Sequence, residues 1–158
     1  MSDEARPALR TARRADLPRI VELLADDPLG ATREYPSDPV ADAYVAAFNA
    51  ILAQRGNCVL VAELDGLVVG CLQLTVVPGL SRAGATRAFI EGVRVSSAHR
   101  GRRIGELLVN EAIDRARAAG AVLVQLTTDA SRTDAHRFYE RLGFVATHIG
   151  YKMDISDP

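Results

Sequence analysis

The sequence predicts an α/β (α+β) fold built on a mostly antiparallel sheet, and three observations predict it. Two Val- and Leu-rich runs, Cys58 to Glu63 and Leu67 to Val77, flank Asp65-Gly66. A tight turn of that kind needs positive φ at both central residues, so the two runs read as a hairpin. Stretches with apolar residues at helical spacing stand between the strand-like runs. Finally, Val93-Arg94-Val95 runs through Arg100-Gly101-Arg102-Arg103-Ile104-Gly105 into an amphipathic stretch, a strand feeding a helix N-terminus.

In chain order, Ala8 to Ala12 alternates weakly as an edge strand, and Asp16 can cap a helix carrying Leu17, Ile20, Leu23 and Leu24. The segment from Asp26 to Pro39, with Pro28, Gly30 and Pro36, is a breaker-rich loop. A second helix runs through Tyr44, Phe48, Ile51 and Leu52 to Gly56. After the hairpin, Pro78-Gly79 to Gly84 turns the chain and Phe89 to Val95 returns as a third strand of the meander, with Gly92 marking a candidate β-bulge. The helix from about Arg102 to Ala119 sets Ile104, Leu107, Leu108, Ala112 and Ala116 on one face, and Gly120 stops it. Val122 to Thr127 reads as a buried strand, Thr133 to Leu142 as a short helix stopped at Gly143, and Phe144 to Ile155 as the strand that closes the sheet. Phe138, Leu142 and Phe144 are assigned to the core. With no repeat, linker or low-complexity tract, residues 1–158 read as a single domain.

Composition narrows the function classes. Hydrophobic side chains make up 48% of the chain, enough for a real core, and no stretch is long and apolar enough to span a bilayer. A net charge of −1 argues against a general nucleic-acid binder, which would carry a strongly basic face. The two cysteines, Cys58 and Cys71, lie in apolar runs without a C-x-x-C pair or a secretory leader nearby, so disulfides and structural zinc are not expected and the cytoplasm is the default location. His99, His136 and His148 lack ligand spacing, and no metal is expected.

The loop from Arg100 to Gly105 combines small residues, positive charge and a helix N-terminus, the arrangement that receives a phosphate on backbone N–H groups. It lacks the terminal Lys-Ser/Thr of a P-loop and the triple glycine of a dinucleotide fingerprint. Its pattern, Arg-x-x-Gly-x-Gly with Arg103 at the first glycine, resembles the acetyl-CoA pyrophosphate loop of the GNAT superfamily of N-acyltransferases. Downstream, Ala135-His136-Arg137-Phe138-Tyr139 followed by Gly143-Phe144 is similar to the motif that ends the cofactor site of that superfamily. The resemblance extends from about Val59 to Tyr151, and the string Asp134 to Tyr139 is similar to bacterial aminoalkylphosphonate acetyltransferases, although a motif of the cofactor side names no acceptor.

The resemblance implies a central mixed sheet of six to seven strands flanked by about four helices, with acetyl-CoA as co-substrate. It implies that the backbone of Val93, Arg94 and Val95 pairs with the pantetheine arm where that strand parts from Val122 to Thr127. Gly101 to Gly105, including Ile104, would then hold the pyrophosphate, with Arg100, Arg102 or Arg103 adding charge. Phe138 and Arg132 fall on the cofactor side, Arg132 standing where many relatives have an asparagine. Tyr139 is the implied general acid, and the first two helices with their loop roof the acceptor. A homodimer, through a hairpin such as Val76 to Ala88, is also implied.

Glu91 is read from the strand itself. Alternation sets Phe89, Glu91, Val93 and Val95 on one face, and a carboxylate there needs either chemistry or an ion pair with Arg82 or Arg87. Glu91 is the candidate base, with Glu34 next. The expected activity is acetyl transfer to a primary amine of a small molecule; a protein or peptide acceptor and a non-catalytic acetyl-CoA or ligand sensor stand as alternatives.

Overall fold

The computed structural model describes residues 6–156, in two compact units divided between Gln125 and Leu126. The first unit holds a five-stranded sheet in the order β1-β2-β3-β4-β5: β1 (Ala8–Thr11), β2 (Asn57–Leu64), β3 (Leu67–Val77), β4 (Arg87–Val95) and β5 (Leu123–Gln125). β1 through β4 pair antiparallel, whereas β5 runs parallel to β4, so the sheet is mixed. Asp65 and Gly66, at φ 51° and 79°, make the two-residue turn between β2 and β3 that the sequence predicts.

Both faces of the sheet are covered. α1 (Leu17–Ala25) packs on β3 and β4, α2 (Asp42–Ala53) on β2, and α4 (Ile104–Ala118) on β2, β3 and β4; α3 (Ser81–Gly84) is a single turn in which Arg82 and Ala83 take left-handed φ. Val59 and Val61 of β2 join Leu17, Ile20, Val21, Leu23 and Phe48 in one core. Burial on both faces explains why β2 reads as a nearly continuous apolar run rather than an alternation. Gly70 of β3 lets α4 approach, since a Cβ there would lie 2.9 Å from Leu108 Cδ1. Leu23, Leu60 and Leu108 are fully buried, and each contributes about 1.5–3 kcal/mol by leaving water.

Several local expectations are corrected. Asp16 makes no side-chain cap to α1. Its carboxylate instead accepts from Arg13 N–H and, at 2.7 and 2.9 Å, from the Arg10 guanidinium, which also reaches Glu63. α4 starts at Ile104 rather than Arg102, because Arg103 is left-handed, and Val109 rather than Leu107 completes its buried stripe. β5 is shorter than Val122 to Thr127 and only half-buried.

The second unit contains α5 (Thr133–Arg141), closed as predicted by Gly143 at φ 92°. No residue of α5 is buried, and Phe138, Leu142 and Phe144 are half-buried rather than core. Phe144 to Ile155 forms no strand, which leaves five strands among the described residues instead of six to seven. Val145, Ile149, Tyr151, Met153 and Ile155 keep the odd-numbered alternation of a strand and are all exposed. Alternation marks a face, but a strand also needs a neighbour to accept its N–H groups, and none pairs with this segment among the described residues.

Candidate active site

β4 carries an extra residue. Gln73 pairs with Glu91 but Cys71 pairs with Arg94, so Gly92 and Val93 together oppose Leu72, a β-bulge at the predicted glycine, which sits at φ 60°. The bulge reverses the alternation that follows. Directly opposed residues share a face, so Arg94, opposite Cys71, lies on the face of Glu91 and Gln73, while Val95, opposite Gly70, lies on the face toward α4. The uninterrupted face of Phe89, Glu91, Val93 and Val95 expected from alternation is therefore not formed.

Beyond the bulge, one edge of β4 has no strand beside it among the described residues. The β4–β5 ladder ends at Phe89 and Gln125, leaving residues 90–95 without a partner strand on that edge among the described residues, while Val93 O and Val95 O accept from Arg94 Nη1 and Arg100 Nε. The parting of the two strands is thus present. Ser96 is buried, a 3₁₀ turn covers Ser97–His99, and Gly101 and Arg103 take φ 80° and 58° before α4 begins. The left-handed cap turns the backbone so that Ile104 and Gly105 open the helix, the first intrahelical bond being Leu107 N–H to Arg103 O at 3.1 Å. For a residue with a Cβ this conformation costs roughly 1–2 kcal/mol, which is why a glycine is the easier occupant. Arg103 donates two hydrogen bonds to Glu106, at 2.8 and 2.6 Å, so its charge is matched within the helix turn.

The other arginines of this region tie the loop to the end of α1. Arg100 donates from Nη2 to Asp26 O at 2.6 Å, and its guanidinium interacts electrostatically with the Asp26 carboxylate. Ser97 N–H donates to Asp26 Oδ2 at 2.7 Å, and that bond holds the Asp26 carboxyl below the ordinary aspartate range. Arg94 Nε lies 3.1 Å from Asp27 Oδ2, in an ion pair whose aspartate side chain is 8% exposed. Asp26 and Asp27 escaped the sequence reading. The signal was there, since two acids at a helix C-terminus oppose its dipole and need another purpose.

Glu91 is exposed on β4 and forms no ion pair with Arg82 or Arg87 among the described residues; Arg87 instead lies over the Phe89 ring at 5.9 Å. Next to it, a cavity of about 180 Å³ reaches the bulge. α1 and α2 roof it with residues such as Leu24 and Phe48, and Cys71, Gln73 and Gly92 form its floor. Burial pushes the Cys71 thiol up to about 12, so it stays neutral. Sequence reasoning placed the roof but not the floor, because Cys71 and Gln73 looked like ordinary strand residues.

In the second unit, Tyr139 on α5 stacks edge-on against Phe138 and Phe144, with ring centroids 5.0 and 5.8 Å apart. Arg132 stands at the N-cap of the same helix, its N–H donating to Asp129 O at 3.0 Å.

The chain is similar to several known proteins. A solved structure of a transcriptional regulator from Bacillus halodurans C-125 is 48% identical, with a TM-score of 0.92 over 94% of this chain and 99% of that one. The aminoalkylphosphonate N-acetyltransferase of Salmonella typhimurium LT2 is 39% identical over 87 residues, and the match spans only about half of each chain, 55% of this one and 56% of that one. The N-alpha-acetyltransferase RimI of Mycobacterium tuberculosis H37Rv is 34% identical over 134 residues, 83% of this chain and 73% of that one. The model of the Acetyltransferase (GNAT) family matches residues 17–144, and the chain belongs to that family of N-acetyltransferases.

Proposed function

We propose that this N-acetyltransferase takes its acetyl group from acetyl-CoA and delivers it to the primary amine of a small molecule. The observation that carries the donor half is the bulged, edge-free end of β4 leading through a left-handed cap into the first turn of α4. The residues present fit the donor. Backbone groups of Val93, Arg94 and Val95 would pair with its amide arm as an added strand would. N–H groups from Gly101 to Gly105, Ile104 among them, would receive the pyrophosphate, with Arg100 and Arg102 supplying charge. When bound, acetyl-CoA supplies a thioester carbonyl open to attack by an amine.

An amine with a pKa near that of lysine is almost wholly protonated at pH 7, and freeing its lone pair costs about 4 kcal/mol for roughly three pKa units. Glu91 takes that proton, directly or through a water; among the described residues its carboxylate has no arginine partner to lose by doing so. Tyr139 serves the departing sulfur. A tyrosine near pKa 10 against a thiol near 8.5 makes full proton transfer uphill by about 2 kcal/mol, so its hydroxyl stabilises the developing charge by hydrogen bonding. Phe138, on the helix that carries Tyr139, and Arg132, at its N-cap, would serve the donor, and residues 1–158 work as a single acetyltransferase domain, a reading supported by a family match over residues 17–144. Two copies pair through the Val76 to Ala88 hairpin, which carries the almost fully exposed Leu80.

The test is release of free CoA thiol from acetyl-CoA with a broad amine panel that includes peptides. Turnover of a small amine supports the reading, and turnover of peptides alone moves the acceptor to protein. A second reading rests on the 48% identity to a protein described as a transcriptional regulator: a ligand sensor. Acetyl-CoA binding without thiol release from any amine would favour it.

A further inference from the structure

We infer that the acceptor is a primary amine carrying one uncharged apolar group of about phenyl size, seated in the cavity between α1, α2 and the bulge of β4. The inference rests on the transferase reading and adds the acceptor's chemistry to it. Size comes first. A cavity of about 150 Å³ lined by apolar side chains accepts a benzene ring, and the cavity here measures about 180 Å³.

The lining is next. Leu17, Ile20, Leu24, Phe48, Ile51 and Val59 supply most of the wall. Its polar side chains are already engaged with the protein. Gln73 Nε2 donates to Asn57 Oδ1 at 3.0 Å, the Tyr44 hydroxyl donates to Glu34 Oε2 at 2.7 Å, and the Cys71 thiol points to Gly92 O. Among the described residues, no carboxylate and no guanidinium lines the space. Among the lining side chains a phosphonate or carboxylate would find no cation and a polyamine no anion, and a charged group seated there would lose much of its hydration. An apolar group loses nothing.

Position completes the argument. The cavity floor includes Gly92, next to Glu91, and Gln73, the direct cross-strand partner of Glu91. A group seated in the cavity thus leaves an attached amine on a short linker at the bulge, beside the carboxylate assigned to its proton. The opening is bordered by Ala47, an exposed residue of α2 whose enlargement narrows the entrance without entering the core.

The experiment measures kcat/KM with acetyl-CoA for 2-phenylethylamine, 3-methylbutylamine, ethylamine, 2-aminoethylphosphonate, spermidine and kanamycin. The two bulky apolar amines should exceed the charged ones by about tenfold to a hundredfold, the range one hydrophobic pocket supplies. Ala47→Leu, in protein that still melts cooperatively, should lower the ratio of 2-phenylethylamine to ethylamine at least tenfold, and Ala47→Val should lower it less. Equal or better kcat/KM for the phosphonate or the polyamines, or an unchanged ratio in Ala47→Leu, overturns the apolar-acceptor inference and leaves acetyl transfer standing. If no amine in the panel is acetylated, the small-molecule acceptor reading falls and this inference with it.

Discussion

The proposed donor loop and the proposed acceptor cavity meet the same strand, β4, and are built on opposite principles. The loop from Ser96 to Gly105 is exposed over much of its length, rich in arginine, and shaped by left-handed backbone at Gly101 and Arg103. The cavity is lined almost wholly by apolar side chains, and its polar groups are bonded inward. A donor common to many enzymes can be held by backbone and charge alone, which ask little of any one side chain. An acceptor must be told from other amines, and side-chain shape does that. Asp26 and Asp27 join the two regions, since the chain that leaves α1 beside the cavity grips Ser97, Arg100 and Arg94 of the donor side.

The comparison breaks most sharply at Gly105. Gly105→Val places a branched side chain where the pyrophosphate would approach the backbone, and it should abolish the rise in melting temperature that acetyl-CoA gives by mass action. Circular dichroism should show the fold retained. An undiminished shift in the folded variant would remove the pyrophosphate from this loop.

Tyr139→Phe comes second, with a fall in kcat of roughly ten- to a thousandfold, corresponding to about 1.4 to 4 kcal/mol, and little change in the acetyl-CoA Michaelis constant. Full activity with chemistry rate-limiting would leave the tyrosine as a packing partner of Phe138 and Phe144. Glu91→Gln should cost about tenfold to a hundredfold in kcat/KM for the amine and flatten the acidic limb of the pH profile. Because Glu91 has no arginine partner among the described residues, denaturant stability should stay within about 0.5 kcal/mol of the parent. An unchanged acidic limb would pass the base role to Glu34, the partner of Tyr44.

The smallest effect on activity belongs to Asp16→Asn, which touches neither region. Arg10 holds the Asp16 carboxyl below the ordinary aspartate range by hydrogen bonding, against the opposing effect of burial. A folded-state value below the unfolded one stabilises the protein above the unfolded pKa, about 3.9, and that contribution is lost as pH falls through the folded value. The variant should therefore be less stable than the parent by about 1–2 kcal/mol in urea at pH 7, and the gap should close toward pH 3. A gap independent of pH would trace the loss to packing.

Legibility in the sequence followed the physics of each element. The Asp65-Gly66 turn, the Gly92 bulge and the Gly143 stop were readable because each needs a backbone conformation that few residues adopt. The family was readable because its motifs are short and local. The cavity was not, since Cys71 and Gln73 of β3 and Phe48 of α2 are far apart in the chain and meet only when the sheet is roofed. Nor was the fate of Phe144 to Ile155, whose alternation promised a strand without saying which neighbour would complete it. Arg103 shows a mixed outcome: its departure from the glycine of the motif was visible, yet only the structure shows it taking a left-handed conformation and answering its own charge with Glu106.

Amide hydrogen exchange with and without acetyl-CoA tests the central claim most directly, because it reads the backbone that the loop and the edge of β4 would offer. Slower exchange in peptides covering Val93 to Val95 and Gly101 to Glu106, with α2 unchanged until an apolar amine analogue is added, is the predicted result. Protection by acetyl-CoA confined to other segments, with these two exchanging as before, would contradict the account.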